Sequence, residues 1–115
     1  MSCLFDTLSH FVKDIDAYTL RQIICDFLEK NPTLMDNIPV NDIIQWTNDT
    51  DLNTYIKKMR LHSEWGSSLE IISFCNLMKC KVNVEHKRKK IEFIPNKPAK
   101  YEITIGYTGN HYFHK

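Results

Sequence analysis

The sequence predicts an α+β domain in which helices pack on a small, mostly antiparallel sheet. Three observations carry that expectation. Apolar residues recur at helical spacing from Leu4 to Met78. The period changes to two after Cys80. Between these regions, Ser67-Ser68-Leu69-Glu70 has the form of a capping box at the head of the most apolar helical run. Helices first and strands afterwards give the α+β class rather than an alternating α/β one.

Taken in order, Leu4, Leu8, Phe11, Val12 and Ile15 predict one amphipathic helix. Asp16 is placed to cap a second, lined by Leu20, Ile23, Ile24, Phe27 and Leu28. Asn31-Pro32 ends it, because the residue before proline is pushed out of the α region. Pro39 precedes a short helix with Ile43, Ile44 and Trp46, and Asp49-Thr50-Asp51 opens another with Leu52, Tyr55, Ile56 and Met59. The helix after Trp65-Gly66 carries Leu69, Ile72, Phe74, Cys75, Leu77 and Met78 on more than one side, which predicts a central, buried helix. Val82 and Val84, then Ile91 and Phe93, then Tyr101, Ile103 and Ile105 alternate with polar residues, as strands with one solvated face do. Lys87-Arg88-Lys89-Lys90 is expected to link the first two strands and Pro95-Asn96-Lys97-Pro98 the next two. Tyr107-Thr108-Gly109-Asn110 reads as a turn into a last short strand, His111 to His114. With no repeats or linkers, one domain over 1–115 is expected.

Composition narrows the function classes. A net charge of +1 argues against a protein built to neutralise phosphates. No apolar run approaches the ~20 residues that span a membrane, and no secretory leader pattern is visible. Cys25 and Cys75 sit among apolar neighbours and read as reduced core thiols, which points to a cytoplasmic setting. Cys75 and Cys80 lack zinc-ligand spacing, and three glycines leave no room for a phosphate loop, so no metal or cofactor is expected. The basic run His86 to Lys90 reads as a solvated connection, since no aromatics interleave it to stack on bases.

Two residues could carry chemistry together. Cys3 precedes the amphipathic run Leu4-Phe5-Asp6-Thr7-Leu8-Ser9, and a helix start offers unpaired amides that favour a thiolate and can hold an oxyanion. His111, in Asn110-His111-Tyr112-Phe113, would be aimed as a base from the start of a strand. Taken singly, Cys3 reads more readily as the end of a tail and His111 as a packing or surface residue.

Three ordered segments add a resemblance. Cys3-Leu4-Phe5 resembles the nucleophile segment of the OTU (ovarian tumour) cysteine proteases, Asp-Gly-Asn-Cys-Leu-Phe. Trp65-Gly66-Ser67-Ser68-Leu69-Glu70 is similar to their Trp-Gly-Gly-x-x-Glu segment, and Asn110-His111-Tyr112 to their His-Tyr motif. The resemblance implies a compact papain-like α+β fold, a deubiquitinase activity and ubiquitin or a ubiquitin-like protein as partner. It implies Cys3 as nucleophile, His111 as general base, and Trp65, Gly66, Asn110 and Tyr112 as orienting or substrate-channel residues. A monomer in the cytoplasm is expected, the host cytoplasm if the protein is viral. The short chain, rich in lysine, asparagine and isoleucine, suits a divergent viral or parasite member.

The departures open other readings. Met1-Ser2 stands where the family has Asp-Gly-Asn, so either the chain is cut from a longer protein or its oxyanion hole is reduced. Phe113 stands where the family often has an Asp or Asn orienting the histidine, leaving Asn110, a residue beyond Lys115, or a bare dyad. An inactive ubiquitin- or partner-binding module and a polyprotein-processing protease of the same fold are the alternatives.

Overall fold

The computed structural model describes residues 3–35 and 37–115, so the Met1-Ser2 segment discussed above lies outside the described residues. The first helix, α1 (Cys3–Ser9), buries Leu4, Phe5 and Leu8 completely. It is shorter than its apolar stripe predicts. The amides of Phe11 and Val12 turn to the carbonyls of Leu8 and Ser9, each at 3.1 Å, and this tighter winding ends the helix. Phe11, Val12 and Ile15 still pack against the core from the following segment.

Helix α2 (Ala17–Glu29) starts as predicted, with the Asp16 carboxylate accepting from the Thr19 amide at 2.8 Å. It stops before Pro32, with Asn31 at φ 52. Two short strands, β1 (Thr33–Met35) and β2 (Ile38–Pro39), then pair antiparallel. They are too short to show an alternating pattern, which is why the sequence gives no sign of them. Helices α3 (Val40–Asn48) and α4 (Leu52–Met59) follow, the second capped by the Asp51 carboxylate on the Thr54 amide. Helix α5 (Ser68–Met78) is the centre of the core: every residue from Leu69 to Cys75 is buried.

The remaining strands are β3 (Cys80–His86), β4 (Lys89–Phe93), β5 (Tyr101–Tyr107) and β6 (Tyr112–His114), in the order β4-β3-β5-β6. Both outer pairs are antiparallel, as expected, but the central pair β3–β5 is parallel. Alternation records which face a residue takes and carries no strand direction. The Pro95–Lys100 connection returns the chain to the start of β3, where the Lys100 amide donates to the Lys79 carbonyl at 2.7 Å. The parallel centre places the ends of β3 and β5 at the same edge, and the residues around His111 stand there.

Two further corrections concern β3 and its neighbour. Lys89 and Lys90 are paired within β4, so the connection is only Lys87-Arg88. Asn83 was expected on the solvated face but is 2% exposed, covered on the sheet surface by Glu102 and Thr104, which its side-chain amide contacts.

Candidate active site

Cys3 is the first residue of α1 and is half-buried. Thr7, one turn on and buried, donates its hydroxyl to the Cys3 carbonyl at 2.7 Å and ties down the first turn. The other three thiols lie in the core, where burial pushes Cys25 and Cys75 up to about 12 and Cys80 up to about 11. They stay protonated at neutral pH, which leaves Cys3 as the thiol open to a substrate.

His111 projects from the turn between β5 and β6. That turn is closed by the Thr108 amide donating to the His111 carbonyl at 2.9 Å. Thr108 Oγ1 reaches Asn110 Oδ1 at 3.1 Å, and the Tyr107 hydroxyl donates to the Gly109 carbonyl at 2.7 Å. Gly109 sits at φ 109, a conformation that a residue with a Cβ rarely adopts. Asn110 is therefore spent on the turn. Among the described residues, none hydrogen-bonds the His111 ring.

Helix α1 packs against β6, and Cys3 and His111 line one cleft of about 530 Å³. Tyr112 forms a wall of it, with its ring 4.5 Å from that of Tyr107. Burial above all, and then the neighbouring Tyr107, Cys3 and Glu70, push its phenol up to about 12. Phe113 also lines the cleft, and its ring lies on Gly106 of β5 so closely that a Cβ there would meet it at 2.2 Å. At the far side of the cleft the rings of His10 and His114 stack at 3.8 Å with planes 3° apart, joining the end of α1 to β6. A sequence pattern does not disclose this pairing, because the two residues meet only through the fold.

The Trp65-Gly66 segment approaches the site from behind. A Cβ on Gly66 would come 2.5 Å from Leu4 Cδ2 and 3.2 Å from Phe5 Cε2, so this glycine lets the segment press against the first turn of α1. Trp65 itself, 49% exposed, lines a different cleft of about 370 Å³ with Tyr55, Lys58 and Glu64. Gly66 supports the Cys3 helix, whereas the structure does not bring Trp65 into the Cys3–His111 cleft.

Two buried polar groups hold that segment. Glu70 is fully buried and accepts from the Ser67 amide, the Ser67 hydroxyl and the Tyr55 hydroxyl, each at 2.7 Å. Burial raises its carboxyl above the ordinary range, against the pull of these donors. Ser67 Oγ in turn accepts from the Leu69 amide, which completes the cap. Arg21, 1% exposed, donates to the carbonyls of Met59 at 2.7 Å and Glu64 at 2.8 Å, and its guanidinium lies 4.2 Å over the Phe5 ring. Arg21 belongs to no motif in the sequence. Its position was nevertheless a signal, since it stands three, four and seven residues before Ile24, Cys25 and Leu28 on the buried stripe of α2.

A partly exposed thiol at a helix start and an imidazole across one cleft form the equipment of a cysteine hydrolase. Residues 2–112 match the family described as OTU-like cysteine protease, and the chain belongs to that family. Solved structures share the fold. An OTU domain in complex with ubiquitin is 22% identical, with a TM-score of 0.77 over 98% of this chain and 62% of that one. The viral OTU domain protease from Taggert virus is 20% identical, with a TM-score of 0.73 over 98% of this chain and 71% of that one. The OTUD1 OTU domain is 13% identical, with a TM-score of 0.73 over 98% and 77%. This chain thus spans 62% of the length of the ubiquitin-bound relative. No curated protein matches the sequence.

Proposed function

We propose that the chain hydrolyses isopeptide bonds of ubiquitin or ubiquitin-like conjugates, with Cys3 as nucleophile and His111 as general base. The observation that carries this reading is the shared cleft: the half-buried Cys3 and the turn-borne His111 line it from opposite elements. The similarity in fold to a ubiquitin-bound OTU domain supports the substrate class.

In this mechanism His111 accepts the Cys3 proton as Sγ attacks the isopeptide carbonyl, giving a tetrahedral oxyanion. Collapse breaks the C–N bond, and His111 returns the proton to the departing lysine amine. Water, deprotonated by the same imidazole, then hydrolyses the thioester and releases the ubiquitin carboxylate and the thiol. The unpaired main-chain amides of a helix start, such as that of α1, are the kind of donor that holds such an oxyanion. A ubiquitin bearing a C-terminal electrophile tests the proposal: a covalent adduct that disappears with Cys3→Ala is expected, and no adduct, or one that survives that substitution, would sink it.

A second reading, a ubiquitin-binding module without turnover, draws on one feature of the site. Among the described residues no hydrogen bond reaches the His111 ring, and Phe113 stands two residues after it, where the resemblance implies an orienting Asp or Asn. Saturable ubiquitin binding with no adduct and no cleavage would select it.

A further inference from the structure

The β3–β4 hairpin carries Lys87, Arg88, Lys89 and Lys90 in sequence, and all four are exposed. None of them forms an ion pair among the described residues. The acid nearest in the register, Glu85, is paired with Lys115 from the end of the chain, so it does not offset the cluster. Other cations do find carboxylates, as Arg60 does with Asp26 and Glu29 and Lys81 with Glu92, and the remaining unpaired lysines occur singly or in twos along the chain rather than four in a row. In a chain of net charge +1, this tip is a local concentration of unmatched cations.

Its location is the second observation. Because β3 and β5 are parallel, the hairpin leaves the sheet at the edge where the His111 turn begins. His86, the last residue of β3, bonds through Nδ1 to the Tyr107 carbonyl at 2.8 Å. A Cβ on Gly109 would lie 3.7 Å from His86 Cε1, so the base of the hairpin and the turn are in packing contact. The pair Glu85–Lys115 ties the same end of β3 to the segment after β6. The base of the hairpin is thus packed against the turn that leads to His111. Lys87 is also held at φ 57, a left-handed conformation that residues with a Cβ seldom adopt.

We infer that the Lys87–Lys90 hairpin is a substrate-docking surface that captures an acidic polypeptide face of the protein cleaved at the Cys3–His111 site. The inference rests on the proposed function and adds specificity to it. Exposed cations beside a reaction site speed encounter with an oppositely charged partner and suppress basic ones, without taking part in the chemistry. A nucleic acid is the less favoured occupant, because the cluster offers phosphate-type contacts and no stacking surface.

The test compares the chain with a variant carrying Lys87→Ala, Arg88→Ala, Lys89→Ala and Lys90→Ala, all at exposed positions. The first readout needs no turnover: a fluorescent oligoglutamate peptide should bind the chain and slow alkylation of Cys3 by iodoacetamide. The variant should bind it about tenfold more weakly and show no protection, while its alkylation rate without peptide is unchanged. The second readout is cleavage of a ubiquitin conjugate, where kcat/KM should fall about tenfold at low salt, through KM rather than kcat, and lose its salt dependence. Oligoglutamate protection without any cleavage would overturn the proposed function and leave the docking surface standing. Cleavage with unchanged KM and salt dependence in the variant would overturn the docking surface alone. So would binding of a single-stranded RNA, but not of oligoglutamate, at the four cations.

Discussion

The two sides of α1 are built on different principles. On its inner side, Gly66 presses on Leu4 and Phe5, Arg21 spans Phe5 and two carbonyls, and Glu70 gathers Ser67 and Tyr55. Arg21 and Glu70 are buried there, and each is answered by several partners. On the outer side Cys3 faces a cleft whose opposite wall, from His111 to His114, is largely exposed and is held by the pairing of β6 with the edge of β5, one short turn and ring contacts rather than by buried polar groups. The contrast teaches that rigidity comes from behind the site. The candidate pair Cys3 and His111 rides on backbone that these contacts fix.

That comparison can be broken from either side. The largest effect is expected at His111: His111→Ala should lower kcat by about a thousandfold or more with an unchanged melting temperature, because the residue is exposed and its chemistry is not shared. A loss of stability comparable to a core substitution would show that the outer wall is structural after all.

Next comes the inner side. Arg21→Met should destabilise the fold by about 3 kcal/mol, because it leaves the Met59 and Glu64 carbonyls without their charged donor. Chemical denaturation measures this, and a loss below about 1 kcal/mol would mean that water replaces the arginine freely.

Glu70 offers a test by pH. Its folded carboxyl titrates above its ordinary value because of burial. The stability this raised value contributes is therefore fully present below the ordinary carboxylate range and is lost as pH rises through the raised one. Glu70→Gln keeps much of the hydrogen-bond geometry and removes the titration. The melting temperature of the native chain relative to this variant should therefore increase as pH falls through that window, and a flat difference would contradict the assignment.

Gly66→Ala joins the two sides. The new methyl meets the flexible end of Leu4 but also Phe5, so a cost of about 1–2 kcal/mol is expected. Activity should fall by more than that loss explains, since the displaced helix carries Cys3. The smallest effect is expected at Trp65→Ala. A half-exposed indole outside the Cys3–His111 cleft should cost about 1 kcal/mol, well below the ~3 kcal/mol of a buried aromatic. A large drop in turnover at unchanged stability would return Trp65 to the substrate path.

Much of the inner side is legible in the residues alone. Asp16, Asp51 and the Ser67–Glu70 box cap helices where their spacing says they should, because capping is a local interaction between neighbours in sequence. The burial of α5 follows from its many-sided apolar pattern. The parallel β3–β5 pair was not legible, since strand direction is set by a crossover and not by alternation. Arg21 was hidden because its partners are main-chain carbonyls about forty residues away, which no side-chain pattern announces. At the outer side, motif order alone suggested that Cys3 and His111 belong together, and the packing of α1 on β6 places both on one cleft. Asn110 was offered as an orienting residue, and the Thr108 clasp shows a local use for it.

The central claim is that the outer wall supplies a base to a thiol held from behind. The most direct measurement is the pH dependence of Cys3 alkylation by iodoacetamide, compared between the chain and His111→Ala. Cooperation predicts that the native chain reacts faster near neutral pH and that removing His111 shifts the profile toward higher pH. Superimposable profiles would mean that the two residues share a cleft without sharing a proton, and would contradict the account.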